Sequence, residues 1–216
     1  MKKTGSFDES NFHGLCDALA KKDPDLKKII AQYGYPPLWS RKADFETLIH
    51  IILEQQVSLA SAKAALNKLK EKIGSITPKK LLLLSDAELK ACYFSRQKIM
   101  YARGLADAIQ NGKLSVRKLR TLTDEEIRNA LICIKGIGHW TVDVFLMMAL
   151  HRADLFPGGD IALVNSARNV KQLSIHTTKE TILTIAEAWR PYRTVAAFLL
   201  WHAYIQGKRS DFNRVG

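Results

Sequence analysis

A short glycine-containing stretch decides the fold: Leu131-Ile-Cys-Ile-Lys-Gly136-Ile137-Gly138-His139-Trp140-Thr141-Val142-Asp143. One helix is expected to end near Ile134, and an apolar helix begins by Trp140. Glycine can adopt a positive φ and lets another segment of backbone come close. Ile137, which lies between the two glycines, can insert into the core and hold the turn. The stretch therefore predicts two helices joined by a tight hairpin.

The same hairpin is a candidate binding site for an anion. The first N–H groups of a helix have no carbonyl partner within that helix, and the helix dipole favours negative charge there. A DNA phosphate suits such a site, and the turn adds N–H groups of its own. A helix–helix turn with glycine at the C-cap explains the same residues without any ligand. The residues of the hairpin leave both interpretations open.

Helical periodicity and capping signals extend through the rest of the chain. Apolar residues recur three and four positions apart between Phe45 and Leu53. Helix starts are indicated by Ser58, Thr77 before Pro78, Ser85 with Glu88, and Thr123 with Glu126. The alternation of apolar and polar residues that is typical of strands is not evident. These patterns predict an all-α protein of about ten helices, the last of which begins at Pro191.

The charge balance favours a polyanionic partner. The 216 residues contain 33 Lys and Arg against 21 Asp and Glu, which gives a net charge of +12. Nucleic acid and an anionic membrane surface both attract such a protein. No segment is typical of a basic amphipathic membrane helix, and the longest uncharged run, Thr194–Gly207, is too short to span a bilayer. Nucleic acid is therefore the favoured partner, and no contact with a membrane is expected.

The cysteines and the first residues indicate the cellular compartment. Cys16, Cys92 and Cys133 are scattered along the sequence, and no close pair is present. The sequence thus suggests neither a zinc site nor an iron–sulfur cluster. The opening MKKTGSFDES lacks the apolar stretch of a secretory signal. An intracellular protein is expected, in the cytoplasm or with the DNA of the nucleoid or nucleus.

Four more stretches form a series with the hairpin. In chain order they are Ile51-Ile-Leu-Glu-Gln55-Gln56-Val57-Ser58, Phe94-Ser95-Arg96-Gln97-Lys98, Leu155-Phe-Pro-Gly-Gly-Asp160-Ile-Ala-Leu and Glu187-Ala-Trp-Arg-Pro191-Tyr-Arg193-Thr-Val-Ala…Trp201. Together with the hairpin they resemble the helix-hairpin-helix DNA glycosylase superfamily. The second stretch is similar to the G-L-S-x-x-K turn of that family. The last is similar to the ending of its alkylpurine branch, 3-methyladenine DNA glycosylase II.

The resemblance, which extends from Phe45 to Trp201, implies a fold and a reaction. The expected fold is two-lobed and all-α, with one lobe of six helices spanning residues 39–137. The other lobe combines residues 1–38 with 138–216, and a cleft lies between the lobes. The implied reaction removes alkylated purines, such as 3-methyladenine and 7-methylguanine, from double-stranded DNA by base flipping and hydrolysis, which initiates base excision repair. No cofactor and no catalytic metal are implied, and a monomer is expected.

Asp160 is the candidate catalytic carboxylate. Hydrolysis of a base–sugar bond gives the sugar oxocarbenium character, which a nearby carboxylate stabilises. The sequence alone is equally consistent with Asp160 as the N-cap of the helix that begins at Ile161. The resemblance places it in the position of the family's catalytic aspartate, and the two roles are compatible. Asp143, one turn into the helix after the hairpin, is interpreted as structural.

Trp140 and Trp201 resemble the two tryptophans that line the base pocket of the alkylpurine branch. Their rings can hold a cationic purine by stacking and cation–π attraction, whereas core packing is the alternative for Trp201. Family members that also cleave the DNA backbone carry a lysine in the slot of Trp140. The resemblance therefore implies a monofunctional glycosylase without lyase activity. Val144 and Ile161 stand where the branch has aromatic residues, so the range of accepted bases is left open.

Other residues are expected to contact the DNA. Gln56 stands in the family's plug position, where a side chain fills the gap left by the flipped base. A polar end to the helix that begins at Phe45 is the alternative for Gln56, and Gln55 is assigned to structure. Phosphate contacts are expected from Gly136, Gly138, His139, Thr141, Ser95 and Lys98. Ser95 and Lys98 are equally consistent with an ordinary first helical turn.

A monovalent cation is a further feature of related hairpins. The candidate ligands here are the carbonyl groups of Ile132, Ile134 and Ile137. Two rival functions also follow from the sequence. A glycosylase of the same fold could instead act on uracil, hypoxanthine, an oxidised base or a mismatched base. A non-catalytic helix-hairpin-helix protein would bind DNA and would not need Asp160.

Overall fold

The computed structural model describes residues 5–214 of the 216-residue chain, with side chains through Lys208. Thirteen α-helices and one 3₁₀-helix lie in this range. They are α1 (Phe12–Lys22), α2 (Pro24–Tyr33), α3 (Phe45–Glu54), α4 (Leu59–Ile73), α5 (Pro78–Leu83), α6 (Asp86–Ala91), α7 (Arg96–Gln110), α8 (Val116–Leu119), α9 (Asp124–Ile132), α10 (His139–Ala149), α11 (Ile161–Val170), α12 (Lys179–Ala186), the 3₁₀-helix (Glu187–Trp189) and α13 (Arg193–Arg214). Extended backbone pairs in these residues only at a single bridge between Ser6 and Arg152. The predicted all-α fold is confirmed.

The chain divides into two compact units. The first unit takes its described residues from Met1–Ser40 and Leu146–Gly216, and the second is the continuous segment Arg41–Phe145. The sequence prediction places the two boundaries after residues 38 and 137, whereas the structure places them after residues 40 and 145. The first turns of α10 group with the second unit because hydrogen bonds hold the hairpin to the end of α3, as described below.

The first unit is built around the beginning of α13. Residues 195–200 of this helix are all fully buried. Since a surface helix buries one face only, this part of α13 must be surrounded by other elements, and α1, α2 and α11 pack on it. The ring of Phe198 contacts Phe7, Phe12 and Trp39 edge-on, with centroids 5.4–5.8 Å apart. Although α13 is 22 residues long, neither it nor any other helix of the described residues is apolar enough over sufficient length to cross a membrane.

The second unit is centred on α3. Its fully buried apolar side chains are those of Leu48, Ile49, Ile51, Ile52 and Leu53, and α4 and α7 pack against it. The caps that the sequence predicts are formed. The hydroxyl of Ser58 accepts a hydrogen bond from the N–H of Ser61 at 3.1 Å, and both capping boxes have reciprocal hydrogen bonds. Local sequence signals therefore set where most helices of this unit begin.

Two helix ends differ from the prediction. The last helix begins at Arg193 instead of Pro191, because the N–H of Tyr192 bonds to the carbonyl of Trp189 at 2.8 Å and closes a separate turn. The helix before the hairpin ends at Ile132. There the N–H of Ile134 reaches back only three residues, to Leu131 at 3.0 Å, which tightens the last turn and ends the α-helix early.

Candidate functional site

The two hairpin glycines have different conformations. Gly136 has a φ of +92°, in the region that favours glycine. A Cβ atom at this position would lie 2.0 Å from Cγ of Tyr101, so the tyrosine ring occupies the space of a side chain. Gly138 has no positive φ, and a Cβ there would meet nothing within 4 Å. Ile137 is buried between them, as predicted. The hairpin therefore requires glycine at position 136 only.

Gln55 attaches the hairpin to the end of α3. Its side-chain nitrogen donates to the carbonyl of Gly136 at 2.8 Å and to the hydroxyl of Thr141 at 3.0 Å. The interpretation of Gln55 as structural agrees with these contacts. Thr141 is almost fully buried, so its hydroxyl supports the hairpin, and a phosphate contact through its main-chain N–H stays a prediction. That N–H precedes the first hydrogen bond within α10, from Val142 to Gly138 at 3.1 Å.

Arg128 on α9 clamps the beginning of α10. Its guanidinium lies 2.5 Å from Oδ1 of Asp143 and 3.3 Å from Nδ1 of His139. The ion pair agrees with the interpretation of Asp143 as a structural residue. His139 keeps an exposed side chain on the first turn of α10, where a phosphate contact stays a prediction. No local sequence pattern indicates Arg128, because its partners lie across the hairpin.

Gln56 lies in the turn just beyond the end of α3. Its side chain is exposed, and its φ of +57° is unusual for a residue other than glycine. The end of α3 before Gln56 is firmly held, because Arg41 donates to both carboxylate oxygens of the buried Glu54, at 2.7 and 2.9 Å. Burial lowers the pKa of His50, which lies 3.5 Å from the same carboxylate. An exposed glutamine thus projects from a rigid helix end, as its predicted role as a plug requires.

Ser95 and Lys98 make structural contacts at the beginning of α7. The hydroxyl of Ser95 accepts a hydrogen bond from the N–H of Lys98 at 3.2 Å and caps the helix. The ammonium group of Lys98 donates to the carbonyl of Leu53 at 2.6 Å, near the end of α3. Burial lowers the pKa of Lys98. These contacts are those of the first helical turn that the sequence also allows, and phosphate contacts of the two residues stay predictions.

Asp160 forms the N-cap of α11, as its position before Ile161 predicts. Its Oδ1 accepts a hydrogen bond from the N–H of Leu163 at 2.8 Å, and the side chain is half-buried. A tight turn precedes it, because the N–H of Asp160 donates to the carbonyl of Pro157 at 2.8 Å. In this turn a Cβ on Gly158 would lie 2.7 Å from Leu183. The carboxylate is therefore fixed by a helix start on one side and a packed turn on the other.

The beginning of α13 anchors the segment that leads to α11. Asp154 accepts hydrogen bonds from Arg190 at 2.6 Å and from Arg193 at 2.7 Å. The fully buried hydroxyl of Thr194 accepts a hydrogen bond from the N–H of Leu155 at 3.1 Å. No local sequence pattern indicates Asp154; the signal for this contact is the quoted motif that contains its partner Arg193. Charge pairing on both sides of this carboxylate holds the segment in place.

Comparison with known proteins identifies the family. Residues 49–191 match the HhH-GPD superfamily of base excision DNA repair proteins. The chain belongs to the HhH-GPD superfamily. Among the relatives of this HhH-GPD protein, DNA-3-methyladenine glycosylase 1 of Schizosaccharomyces pombe is 31% identical over 193 residues, which are 88% of this chain and 83% of the relative.

Solved structures of HhH-GPD proteins extend the comparison. The 3-methyladenine DNA glycosylase of Schizosaccharomyces pombe in complex with abasic DNA has a TM-score of 0.80 and 30% identity, covering 87% of this chain and 95% of that one. The DNA-3-methyladenine glycosidase of Bacillus halodurans has a TM-score of 0.70 and 28% identity, covering 94% and 93% of the two chains. The similarity therefore covers nearly the whole length of this chain and of each of the two solved chains.

The two candidate pocket tryptophans of this HhH-GPD protein belong to different units. Trp201 lies on α13 in the first unit, which also contains Asp160. Trp140 lies on α10 in the second unit. Trp201 is 9% exposed and packs beside Trp39 and Phe198, with centroids 6.4 and 5.8 Å away. Packing of this kind holds the indole in one orientation. Trp140 is half-buried, and both assignments to a base pocket stay predictions.

The two residues that replace aromatic residues of the alkylpurine branch differ in their exposure to solvent. Val144 is 2% exposed and belongs to the core, whereas Ile161, the first residue of α11, is 77% exposed.

At the hairpin, the carbonyl of Ile134 accepts a hydrogen bond from the N–H of Ile137 at 3.0 Å, which leaves that oxygen one lone pair for a cation. Residues 5–208 contain no cluster of His, Cys, Asp or Glu side chains suited to a metal. The hairpin carbonyl groups stay the candidate cation ligands.

Proposed function

We propose that this protein is a DNA-3-methyladenine glycosylase, which hydrolyses the bond between an alkylated purine and its deoxyribose and so initiates base excision repair. The family and the names of its relatives support this function. The observation that carries it is Asp160, a carboxylate fixed at the beginning of α11, which the resemblance of its motif places in the position of the family's catalytic aspartate. A protein that only bound DNA would need Asp160 for the helix cap alone, and an asparagine would serve there equally well.

The chemistry follows from the charge that develops on the sugar. As the bond to the purine lengthens, the deoxyribose becomes cationic, and an ionised carboxylate beside it lowers the energy of that state. The same carboxylate can orient or deprotonate the water that attacks the sugar. Because the hydrogen bond from Leu163 and the preceding turn fix Asp160 before DNA arrives, no reorganisation is required during the reaction.

Recognition of the damaged base rests on aromatic and polar side chains. Alkylated purines carry positive charge, which the electron-rich face of an indole attracts, and Trp201 offers such a ring in the same unit as Asp160. Trp140 is the second proposed pocket residue. Gln56 fills the space that the flipped nucleotide vacates, and the N–H groups around Gly136 and Gly138 bind phosphate. The proposed substrate is damaged double-stranded DNA inside the cell, in cytoplasm, nucleoid or nucleus, and the protein acts as a monomer.

The experiment that tests the function is a lesion panel with a matched pair of variants. Asp160→Asn removes the charge but keeps a good N-cap, because asparagine and aspartate cap equally well. Asp44→Asn is the control, since Asp44 caps α3 in the same way, accepting from Thr47 at 2.9 Å. We expect wild type and Asp44→Asn to release 3-methyladenine and 7-methylguanine, and Asp160→Asn to release neither while its duplex affinity stays within a few-fold.

Two results of this panel would reject the proposal. Efficient release of only uracil or 8-oxoguanine by the wild type would assign the protein to another lesion. Unchanged turnover by Asp160→Asn would remove Asp160 from the chemistry.

We also propose that the enzyme lacks lyase activity. The slot that holds the Schiff-base lysine in bifunctional relatives contains Trp140 here, and an indole nitrogen cannot form an imine with the opened sugar. Borohydride added during turnover should trap no covalent protein–DNA complex, and the product strand should stay intact at the abasic site. A bifunctional glycosylase/lyase serves as the positive control. A trapped complex would contradict the proposal.

A further inference from the structure

Tyr93 is an exposed aromatic residue on an unusual backbone. Its side chain is 66% exposed, and its φ is +65°. The turn before α7 resembles the G-L-S-x-x-K pattern, and Tyr93 stands in the slot of that pattern's glycine. Glycine adopts this conformation without steric cost, whereas a tyrosine does not. Within the described side chains its hydroxyl makes no hydrogen bond, so hydrogen bonding in the unit does not account for the tyrosine.

The surface around Tyr93 is apolar and adjoins the plug. Tyr93 and Val57 line one cavity of about 270 Å³. The other residues that line it are Leu53, Ser61, Ala62, Ala64, Ala65 and Lys98. Val57 directly follows Gln56 in the sequence and is 45% exposed, and Leu59 is 64% exposed. Tyr93 therefore lines a small apolar surface in the second unit, and Gln56, which also has a left-handed backbone, directly precedes Val57 of that surface.

We infer that Tyr93 stacks on a nucleobase of the bound duplex, next to the gap that Gln56 fills. This inference rests on the proposed function, because it takes Gln56 as the plug. A phenol ring on an exposed turn suits the face of a base, which stacks on aromatic side chains regardless of sequence. The cavity walls beside it are largely apolar, which suits a base or sugar more than a phosphate. DNA is the occupant because the chain carries a net charge of +12 and the proposed plug Gln56 directly precedes Val57, which lines this cavity.

The unusual backbone makes a sharp test possible. Tyr93→Gly removes the ring and also relieves the left-handed conformation, so this variant should unfold at the same temperature as the wild type or higher. We expect its affinity for a duplex with a tetrahydrofuran abasic-site analogue to fall about tenfold, as for loss of one base stack. Tyr93→Phe should bind like the wild type. Leu83→Ala is the control, because Leu83 is 77% exposed in the same unit and does not line the cavity.

A fluorescent base locates the contact. 2-Aminopurine placed next to the abasic analogue, or opposite it, loses fluorescence when an aromatic ring stacks on it. We expect wild type and Tyr93→Phe to quench one of these positions and Tyr93→Gly to quench it less. Equal affinity and equal quenching by Tyr93→Gly would overturn the inference. Since these measurements require no base release, a failure of the proposed glycosylase activity would show separately, as absence of turnover by the wild type.

Discussion

The two glycines of the hairpin show how far a single residue type can differ in its role. Position 136 combines a φ of +92° with the ring of Tyr101 in the place of a Cβ atom, and position 138 has neither restriction. From the sequence both glycines fit the same hairpin motif, because the motif does not reveal which residue a distant tyrosine packs against. The difference becomes measurable when each is replaced by alanine.

Gly136→Ala should destabilise the protein strongly and Gly138→Ala should not. A left-handed alanine costs about 1–2 kcal/mol, and overpacking against the ring adds roughly 1–3 kcal/mol. The expected loss in the free energy of unfolding is therefore about 2–5 kcal/mol, against about 0.5 kcal/mol or less for Gly138→Ala. Urea denaturation measures both. Equal losses for the two variants would contradict the contact between Gly136 and Tyr101.

The residues of the candidate site were predictable to different degrees. The cap at Asp160 is predictable because an aspartate after two glycines and before an apolar run is a local pattern, and the structure confirms it. Thr141 and Lys98 were expected to contact phosphate, yet their side chains bond to Gln55 and to the carbonyl of Leu53. Those partners are more than forty residues away in sequence. Local patterns cannot show contacts that only the fold creates.

At the scale of elements, adjacent glutamines at the end of α3 have separate tasks. Gln55 joins α3 to the hairpin, and Gln56 projects outward with an exposed side chain. Gln55→Ala should reduce the free energy of unfolding by about 1–2 kcal/mol, because two partly buried hydrogen bonds are lost. Gln56→Ala should leave stability within about 0.5 kcal/mol but slow base release. Thermal denaturation and single-turnover excision distinguish the two, and a stability loss confined to Gln56→Ala would reverse these assignments.

Helix beginnings were more predictable than helix ends. Serine and threonine caps depend on hydrogen bonds over three residues, so the sequence alone reveals them, as at Ser58 and Thr123. The C-terminal end of α9 and the beginning of α13 each differ from the prediction by two residues. There, the carbonyl groups of Leu131 and Trp189 accept hydrogen bonds from the N–H groups three residues later, which an α-helix would bond to the carbonyl four residues back. Such turns depend on how the following segment packs.

At the scale of the whole molecule, one buried carboxylate connects distant parts of the first unit. Asp23 caps α2 and accepts hydrogen bonds from Lys171 at 2.6 Å and from the indole nitrogen of Trp189 at 2.7 Å. Burial alone would raise the pKa of Asp23, but these hydrogen bonds outweigh it and hold the pKa below its usual 3.8. The charged form of Asp23 therefore stabilises a unit built from both ends of the chain.

The stability that Asp23 provides should disappear in acid. A carboxylate with a depressed pKa contributes fully above the pKa of the unfolded state, and this contribution is lost as pH falls through the lower, folded-state pKa. At pH 7, Asp23→Asn should lower the free energy of unfolding by about 2–4 kcal/mol, since Lys171 loses a buried partner. The difference from wild type should shrink below pH 3.8. Asp25→Asn, at a more exposed ion pair, should cost about 1 kcal/mol or less.

The discontinuity of the first unit has a consequence during translation. A ribosome finishes Arg41–Phe145 while the partners of the first forty residues have not yet been made. The α3-centred unit can then fold as soon as it leaves the exit tunnel, since its core is contained in one uninterrupted segment. The apolar side chains of α1 and α2 must wait for α13, which is synthesised after the whole of the second unit. Nascent chains stalled before residue 193 should therefore expose these N-terminal side chains to chaperones.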